Sequence, residues 1–304
     1  MTPDVLLEAR EISRRYGVRP AVHGLNLTLR RGDCLGLLGL NGAGKSTTLK
    51  MLVGVLAPHA GQILICGVDL ARQPLLAKRD LGYLPQTPPL FLDARVDDYL
   101  AFCAALHQAR DPAVQIARAK QRCGLNDVGR RVIGNLSKGY QQRIGFAQAI
   151  VHQPAVLVLD EPTVGLDPLQ IREIRTLMRE LAREHAVILS THLLAEVQQI
   201  CTRVAVLHQG VLVHEGALVA AELRLQLTLR EAYDDAAARL REIAGVSTLD
   251  VLAEGVFRLG VEHPAVAEAI IALAVAHGWG VRELRGADSA LEQTFVALTA
   301  GAAA

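Results

Sequence analysis

The sequence predicts an α/β protein whose core is a parallel sheet covered by helices, with antiparallel strands at the start, an inserted helical block and a small α+β unit at the end. Three observations carry this. Apolar runs at 34–39 (CLGLLG), 155–160 (AVLVLD) and 186–191 (AVILST) read as strands buried on both faces, with helix-period segments beside them. Between 90 and 151, apolar residues recur every three to four positions. From 222 onward, short strand and helix patterns follow the order β-α-β-β-α-β, and the charge balance changes sign.

The elements follow in order. LLEAREISRRYG and HGLNLTLRRGD alternate in short bursts, as antiparallel strands joined by polar turns do. CLGLLG runs into a glycine-rich turn and then the amphipathic KSTTLKMLVGVL, so strand, loop and helix open a parallel unit. DDYLAFCAALHQ, PAVQIARAKQRCG and YQQRIGFAQAI make up the helical block, about 90–151. PLQIREIRTLMRELAREH is a helix between the strands at 155–160 and 186–191, and RVAVLHQGVLVHEG is a hairpin turning at 208–210. The tail reads strand 225–229, helix 234–244, strands 249–253 and 256–261, helix 264–277, strand 280–284 and helix 289–298, the order of a ferredoxin-like fold. The expected domains are 1–221 and 222–304.

Composition excludes several classes. A chain of 304 residues that is 51% hydrophobic and 21% charged can bury a full core, which rules out extended disorder. The formal charge of +1 gives no general attraction to nucleic acid, and none is expected as a partner. That total conceals a net −5 from Glu222 onward and +6 before it. Cys34, Cys66, Cys103, Cys123 and Cys201 are odd in number and lack paired spacing, so they read as reduced thiols near the core. MTPDVLLEAR lacks the pattern of a signal peptide, and the apolar run 265–276 is too short to span a bilayer, so a cytosolic compartment is expected.

The chemistry is concentrated in a few segments. GLNGAGKST, comprising Gly39, Leu40, Asn41, Gly42, Ala43, Gly44, Lys45, Ser46 and Thr47, fits G-x-x-x-x-G-K-[ST] with a strand before it and a helix after it. Its glycines let successive N–H groups turn inward towards phosphate oxygens, and the helix N-terminus adds partial positive charge. In this pattern Lys45 reaches the β- and γ-phosphates of a nucleoside triphosphate, and the Ser46 hydroxyl ligates Mg²⁺. Asp160 ends an apolar strand, where it would hold Mg²⁺ through the ion's water shell, while Glu161 would polarise an attacking water.

With these motifs in place the chain resembles the ATP-binding cassette superfamily over roughly residues 5–220. Further motifs stand in the family's order: Tyr16 in RRYG, Gln86 in GYLPQ, LSKGY at 136–140 with Ser137 and Gly139, Asp167 in GLDP and His192 in STH. The resemblance implies a RecA-like parallel core, an antiparallel β subdomain and a helical subdomain. It also implies that Tyr16 stacks on adenine, Gln86 joins Mg²⁺, and His192 holds the γ-phosphate and the attacking water in line with Glu161. LSKGY departs from the family's LSGGQ, with Lys138 for a glycine and Tyr140 for the glutamine, and Leu40 stands where proline is commoner. Ser137 is placed to cap the helix that follows.

The family's arrangement implies an ATPase using ATP and Mg²⁺, in which the Ser137 segment faces ATP held by a second copy of the chain in a head-to-tail dimer. The sequence is most similar to exporter ATPases of the drug-resistance and gliding-motility type, including the ending SALEQTFVALT. That likeness implies a separate integral membrane permease as partner, and a location on the cytoplasmic face of the inner or plasma membrane. Docking is expected near Gln86 and 90–99. The alternative is a soluble switch ATPase of the same superfamily; its members carry tandem cassettes or a long coiled-coil insertion, and neither pattern is present.

Overall fold

The computed structural model describes residues 4–218 and 223–286. The chain divides into two compact units, Met1–Leu218 and Val219–Ala304. In the first, the order is β1 Val5–Tyr16, β2 Arg19–Arg30, β3 Cys34–Leu38, α1 Lys45–Leu52, β4 Ala60–Ile65, β5 Val68–Asp69, α2 Pro74–Ala77 and β6 Leu81–Leu84. The helical block follows as α3 Val96–Leu106, α4 Pro112–Arg122 and α5 Lys138–Ile150. The unit ends with β7 Val156–Asp160, α6 Pro168–Ala182, β8 Ala186–Ser190, α7 Leu194–Ile200, β9 Arg203–His208 and β10 Val211–Ala217.

Two sheets organise this unit. An antiparallel sheet runs β2-β1-β4-β5. The central sheet runs β10-β9-β3-β8-β7-β6, parallel throughout except for the β9–β10 hairpin. Side chains alternate across the central sheet, so neighbouring residues enter different cores. Leu35, Leu37, Val156, Val158, Ala186 and Ile188 pack with Leu7, Ile12, Leu25 and Leu49. Leu157, Leu159, Val187 and Leu189 pack instead with Leu100, Ile144, Phe146, Met178 and Leu181. Burial on both faces is why these strands read as unbroken apolar runs.

The second unit contains β11 Leu223–Leu229, α8 Ala236–Arg241, β12 Val246–Ala253, β13 Val256–Val261, α9 Val266–Ala276 and β14 Val281–Gly286. Its sheet order, β12-β13-β11-β14, with every pair antiparallel, is that of a ferredoxin-like fold. Leu227, Leu240, Phe257, Leu259, Ile270 and Trp279 form its core. The expected helix at 289–298 lies outside the described residues.

Several boundaries differ from the sequence reading. The helix after the glycine-rich loop stops at Leu52, not Leu56, because the chain reverses through Gly54 in the left-handed region (φ +67°). The helical block begins with irregular chain at 90–95, where Pro88 and Pro89 supply no N–H groups and a short turn bonds Leu90 N–H to Pro88 O. Strands β4, β5 and β6 were not expected; β4 and β6 are fixed by pairing with β1 and β7, both far away in sequence. The 208–210 turn is as expected, with Gln209 (φ 48°) and Gly210 (φ 82°) both left-handed. All five cysteines are free thiols; Cys34, Cys103 and Cys123 are buried.

His152 illustrates the cost of burial. Its ring stacks on His107 at 3.8 Å, its Nε2 lies 3.1 Å from Leu81 O, and its Nδ1 is buried without a partner. Burial, with the neighbouring His107, pushes its pKa down to about 4. Between the ordinary imidazole value and about pH 4, the unfolded chain accepts a proton that the fold refuses, so stability falls as pH drops through that window and levels off below it. The expected full loss from this residue is about 3 kcal/mol, and His152→Gln should shrink the difference between urea melts at pH 7 and pH 4.5.

Candidate functional site

Parallel pairing brings the carboxyl ends of β3, β8 and β7 to one edge of the sheet, with Leu37 opposite Ser190 and Ser190 opposite Asp160. The glycine-rich loop leaves β3 at this edge and leads into α1. Two of its glycines are required sterically: a Cβ on Gly39 would lie 2.6 Å from Leu207 O, and one on Gly44 (φ +104°) would lie 2.5 Å from Ala21 O. The β9–β10 turn braces the loop from behind, since Gly210 N–H donates to Ala43 O and Gly210 O accepts from His23 N–H. The first turn of α1 has no side-chain cap and no acidic residue, so its positive end has no anionic side chain of its own.

The loop opens onto a cleft of about 970 Å³, whose walls include Tyr16, Asn41, Gly42, Gly44, Lys45, Ser46, Thr47, Gln86, Glu161 and His192. Lys45 is 7% exposed; its Nζ donates to Gly39 O at 2.6 Å and lies 4.0 Å from Glu161 Oε1. Burial pushes the Lys45 ammonium down from its ordinary value, and the carboxylates of Glu161 and Asp160 oppose that. Glu161 Oε2 meets His192 Nδ1 at 2.8 Å. Glu161 itself has left-handed backbone (φ 47°), and its N–H donates to Ser190 O. Asp160 is buried and accepts from Ser190 Oγ at 3.0 Å. Burial raises its pKa, and hydrogen bonds from the Ser190 and Ser46 hydroxyls counteract the rise.

Gly39 and Ala43 belong to the loop but do not face the cleft. Ser137, Gly139 and Asp167 gather elsewhere, where α5 and α6 begin. Ser137 Oγ caps α5 by accepting from Tyr140 N–H at 3.5 Å, and Asp167 Oδ1 caps α6 by accepting from Gln170 N–H at 2.9 Å. A Cβ on Gly139 would lie 2.7 Å from the Gln170 side chain, so the two helix starts touch there. Within one chain, the residues expected at the nucleotide therefore form two separate groups.

The structure also adds residues that the sequence reading missed. Arg19, at the start of β2, and Gln209, in the β9–β10 turn, line the cleft. Arg19 stands three residues after Tyr16 across a tight turn, a proximity legible in sequence; Gln209 reaches the cleft only through tertiary packing. Behind His192, Thr191 Oγ1 accepts from Leu193 N–H and donates to Glu196 Oε2 at 2.9 Å, while Glu196 Oε1 meets Arg175 Nη2 at 3.4 Å. This buried network fixes the chain on which His192 sits.

Comparison with known proteins agrees with this architecture. The sequence profile described as ABC transporter matches residues 22–164. The chain is 30% identical over 306 residues to the bacitracin transport ATP-binding protein BcrA of Bacillus licheniformis, covering 97% of this chain and 98% of that protein. It is 36% identical over 234 residues to the Nod factor export ATP-binding protein I of Paraburkholderia xenovorans (strain LB400), covering 73% and 75% of the two chains. Among solved structures, the ATP-binding subunit of an ABC transporter superposes with a TM-score of 0.65 at 30% identity, covering 70% of this chain and 90% of that one. The cbiO1 protein of Clostridium perfringens, part of the ABC transporter complex cbiONQ, gives a TM-score of 0.64 at 29% identity, covering 71% and 90%. A core sheet that delivers a glycine-loop lysine, the Glu161 carboxylate and a histidine to one cleft, with Asp160, the neighbour of Glu161, buried at the end of its strand, together with these relatives, establishes that the chain belongs to the ABC transporter family of ATP-binding proteins.

Proposed function

We propose that this chain binds ATP with Mg²⁺ in the cleft and hydrolyses it. The work drives a separate membrane permease in the direction of export, from the cytoplasmic face of the membrane. The observation that carries the catalytic part is the Lys45–Glu161–His192 arrangement at the mouth of a glycine-built anion cradle.

The residues present fit both groups. Uncapped amides at the start of α1, beside Lys45, suit phosphate oxygens. Ser46, Gln86 and Asp160 supply the oxygen donors that suit Mg²⁺ when phosphate and water complete its shell. Bound Mg²⁺ would neutralise charge that develops on the phosphate oxygens. Lys45 would exchange its bonds to the Gly39 and Leu40 carbonyls for phosphate oxygens. Glu161 would accept the proton of the attacking water, with His192 holding its carboxylate in place through the 2.8 Å contact. Tyr16, half exposed at the cleft, offers a ring face for the base.

The separation of the Ser137 group from the cleft supports a pair of chains, head to tail, in which each copy presents α5 to the nucleotide held by the other. Closure on ATP and opening after hydrolysis would then be the mechanical output. No helix among the described residues is long and apolar enough to cross a membrane; in this reading the permease supplies the spans. An apolar surface stands close to Gln86 in sequence: Phe91, Leu92, Phe102 and Leu106 are exposed, and the Phe91 and Phe102 rings lie 5.4 Å apart. Asp97 is engaged with Lys120 at 2.5 Å, while Asp93 and Asp98 are exposed acidic side chains of the same segment. Export is supported by the relative named for Nod factor export, and a transport partner by the relative named for bacitracin transport.

Glu161→Gln should lower ATP turnover about 10²- to 10⁴-fold while retaining nucleotide binding, whereas Lys45→Ala and Gly44→Ala should lose binding itself, as read by a fluorescent ATP analogue. In ATP, Glu161→Gln should elute as a dimer by size-exclusion chromatography with light scattering; adding Ser137→Arg should return it to monomer without emptying the Lys45 cleft. Affinity purification from detergent-solubilised membranes should recover a polytopic membrane protein that changes the ATPase rate, and Asp98→Lys should weaken that recovery. Recovery of ribosomes or nucleic acid in its place would retain the ATP site and overturn the transport reading.

A further inference from the structure

A second pocket, about 310 Å³, lies at the opposite end of the central strands from the nucleotide cleft. Its walls come from residues just before β6 (Asp80), β7 (Pro154, Ala155) and β8 (Glu184, His185), from α4 (Arg118, Arg122) and from Arg31 between β2 and β3. It therefore joins the helical block to the amino ends of the sheet, where none of the residues assigned to ATP is found.

Its chemistry is unusual in combining three guanidinium groups with two carboxylates and a buried neutral acceptor. Arg118 Nη2 and Arg122 Nη1 both meet Glu184 Oε2, at 3.2 and 2.8 Å. His185 is only 6% exposed. Its Nδ1 lies 2.7 Å from Pro154 O, which fixes the ring proton on Nδ1 and leaves Nε2 as an acceptor. That Nε2 is buried and has no hydrogen-bond partner. Burial also holds His185 below the ordinary imidazole value, in keeping with a neutral ring. A buried, unpaired acceptor costs free energy unless a donor reaches it.

A fully ionised oxyanion offers no donor and would face Asp80 and Glu184 as like charges. A neutral ligand would leave the guanidinium groups without an added partner. An oxyanion that still carries a hydroxyl meets both demands: its charged oxygens accept from the arginines, and its O–H donates to His185 Nε2 or to a carboxylate. We propose that this pocket binds hydrogenphosphate, with Arg118 and Arg122 holding its charge and His185 reading its hydroxyl. Free phosphate satisfies this at neutral pH; sulfate, which has lost its last proton, does not.

The test is calorimetric titration of the full chain with inorganic phosphate and with sulfate, with the nucleotide cleft saturated by a non-hydrolysable ATP analogue and Mg²⁺. The expected result is one phosphate per chain, bound at least about tenfold more tightly than sulfate, as a site built around a ligand hydroxyl discriminates. His185→Phe should remove the preference for phosphate, and Arg118→Gln, a change at an exposed side chain, should weaken phosphate binding while the nucleotide remains bound. Should His185→Phe fail to fold, Arg118→Gln decides. Absence of phosphate binding, equal binding of phosphate and sulfate, or binding that Arg118→Gln leaves unchanged would mean an adventitious ion only and would overturn the proposal.

Discussion

The structure depends on burying the central strands on both faces. Only when β3, β8 and β7 lie side by side and parallel do their carboxyl ends reach the same edge, and only there can the loop after Leu38, the pair Asp160–Glu161 and the chain at Ser190–His192 meet. The register is strict because a one-residue slip would exchange the two cores: Leu157 and Leu159 would move to the face now packed by Val156 and Val158. The geometry of the site is thus a product of hydrophobic packing some residues away from any polar group in it.

That packing also sets the electrostatics. Lys45, Asp160 and Glu161 are held largely out of water, each beside an opposite charge or a hydroxyl; burial pushes Lys45 down and Asp160 up, and the neighbouring charges and hydroxyls oppose both shifts. The loop around them has little freedom. Backbone carbonyls of Leu207 and Ala21 stand within 2.6 Å of where a side chain at Gly39 or Gly44 would begin, and the β9–β10 turn is bonded to it from behind. The cleft is preorganised by parts of the chain more than 160 residues apart.

Much of this was legible in the sequence because the chemistry sits on local patterns. The loop, the strand-end acids and His192 each follow an apolar run that announces the strand delivering them, and the tail's element order matched its sheet. What escaped was non-local. Strands β4 and β6 are short, and their partners β1 and β7 are distant, so their own residues say little. Gln209 lines the cleft because a hairpin folds against the loop, and the Arg175–Glu196–Thr191 network joins α6, α7 and the end of β8. The end of α1 was overrun because the apolar pattern continues through Val55 and Leu56, whereas the backbone turns at Gly54.

The alternation along β7 and β8 also has an evolutionary consequence. Val158 and Leu159 are covalent neighbours yet belong to different packing communities, whereas Val158 and Ile188 are neighbours only in space and share one. Compensating substitutions should therefore travel across strands at matched positions and skip the adjacent residue. Each strand carries two interleaved histories, one shared with the antiparallel sheet and one with the helical block. A change of volume on one side can be absorbed without renegotiating the other, leaving the strand ends, and the groups they carry, in place.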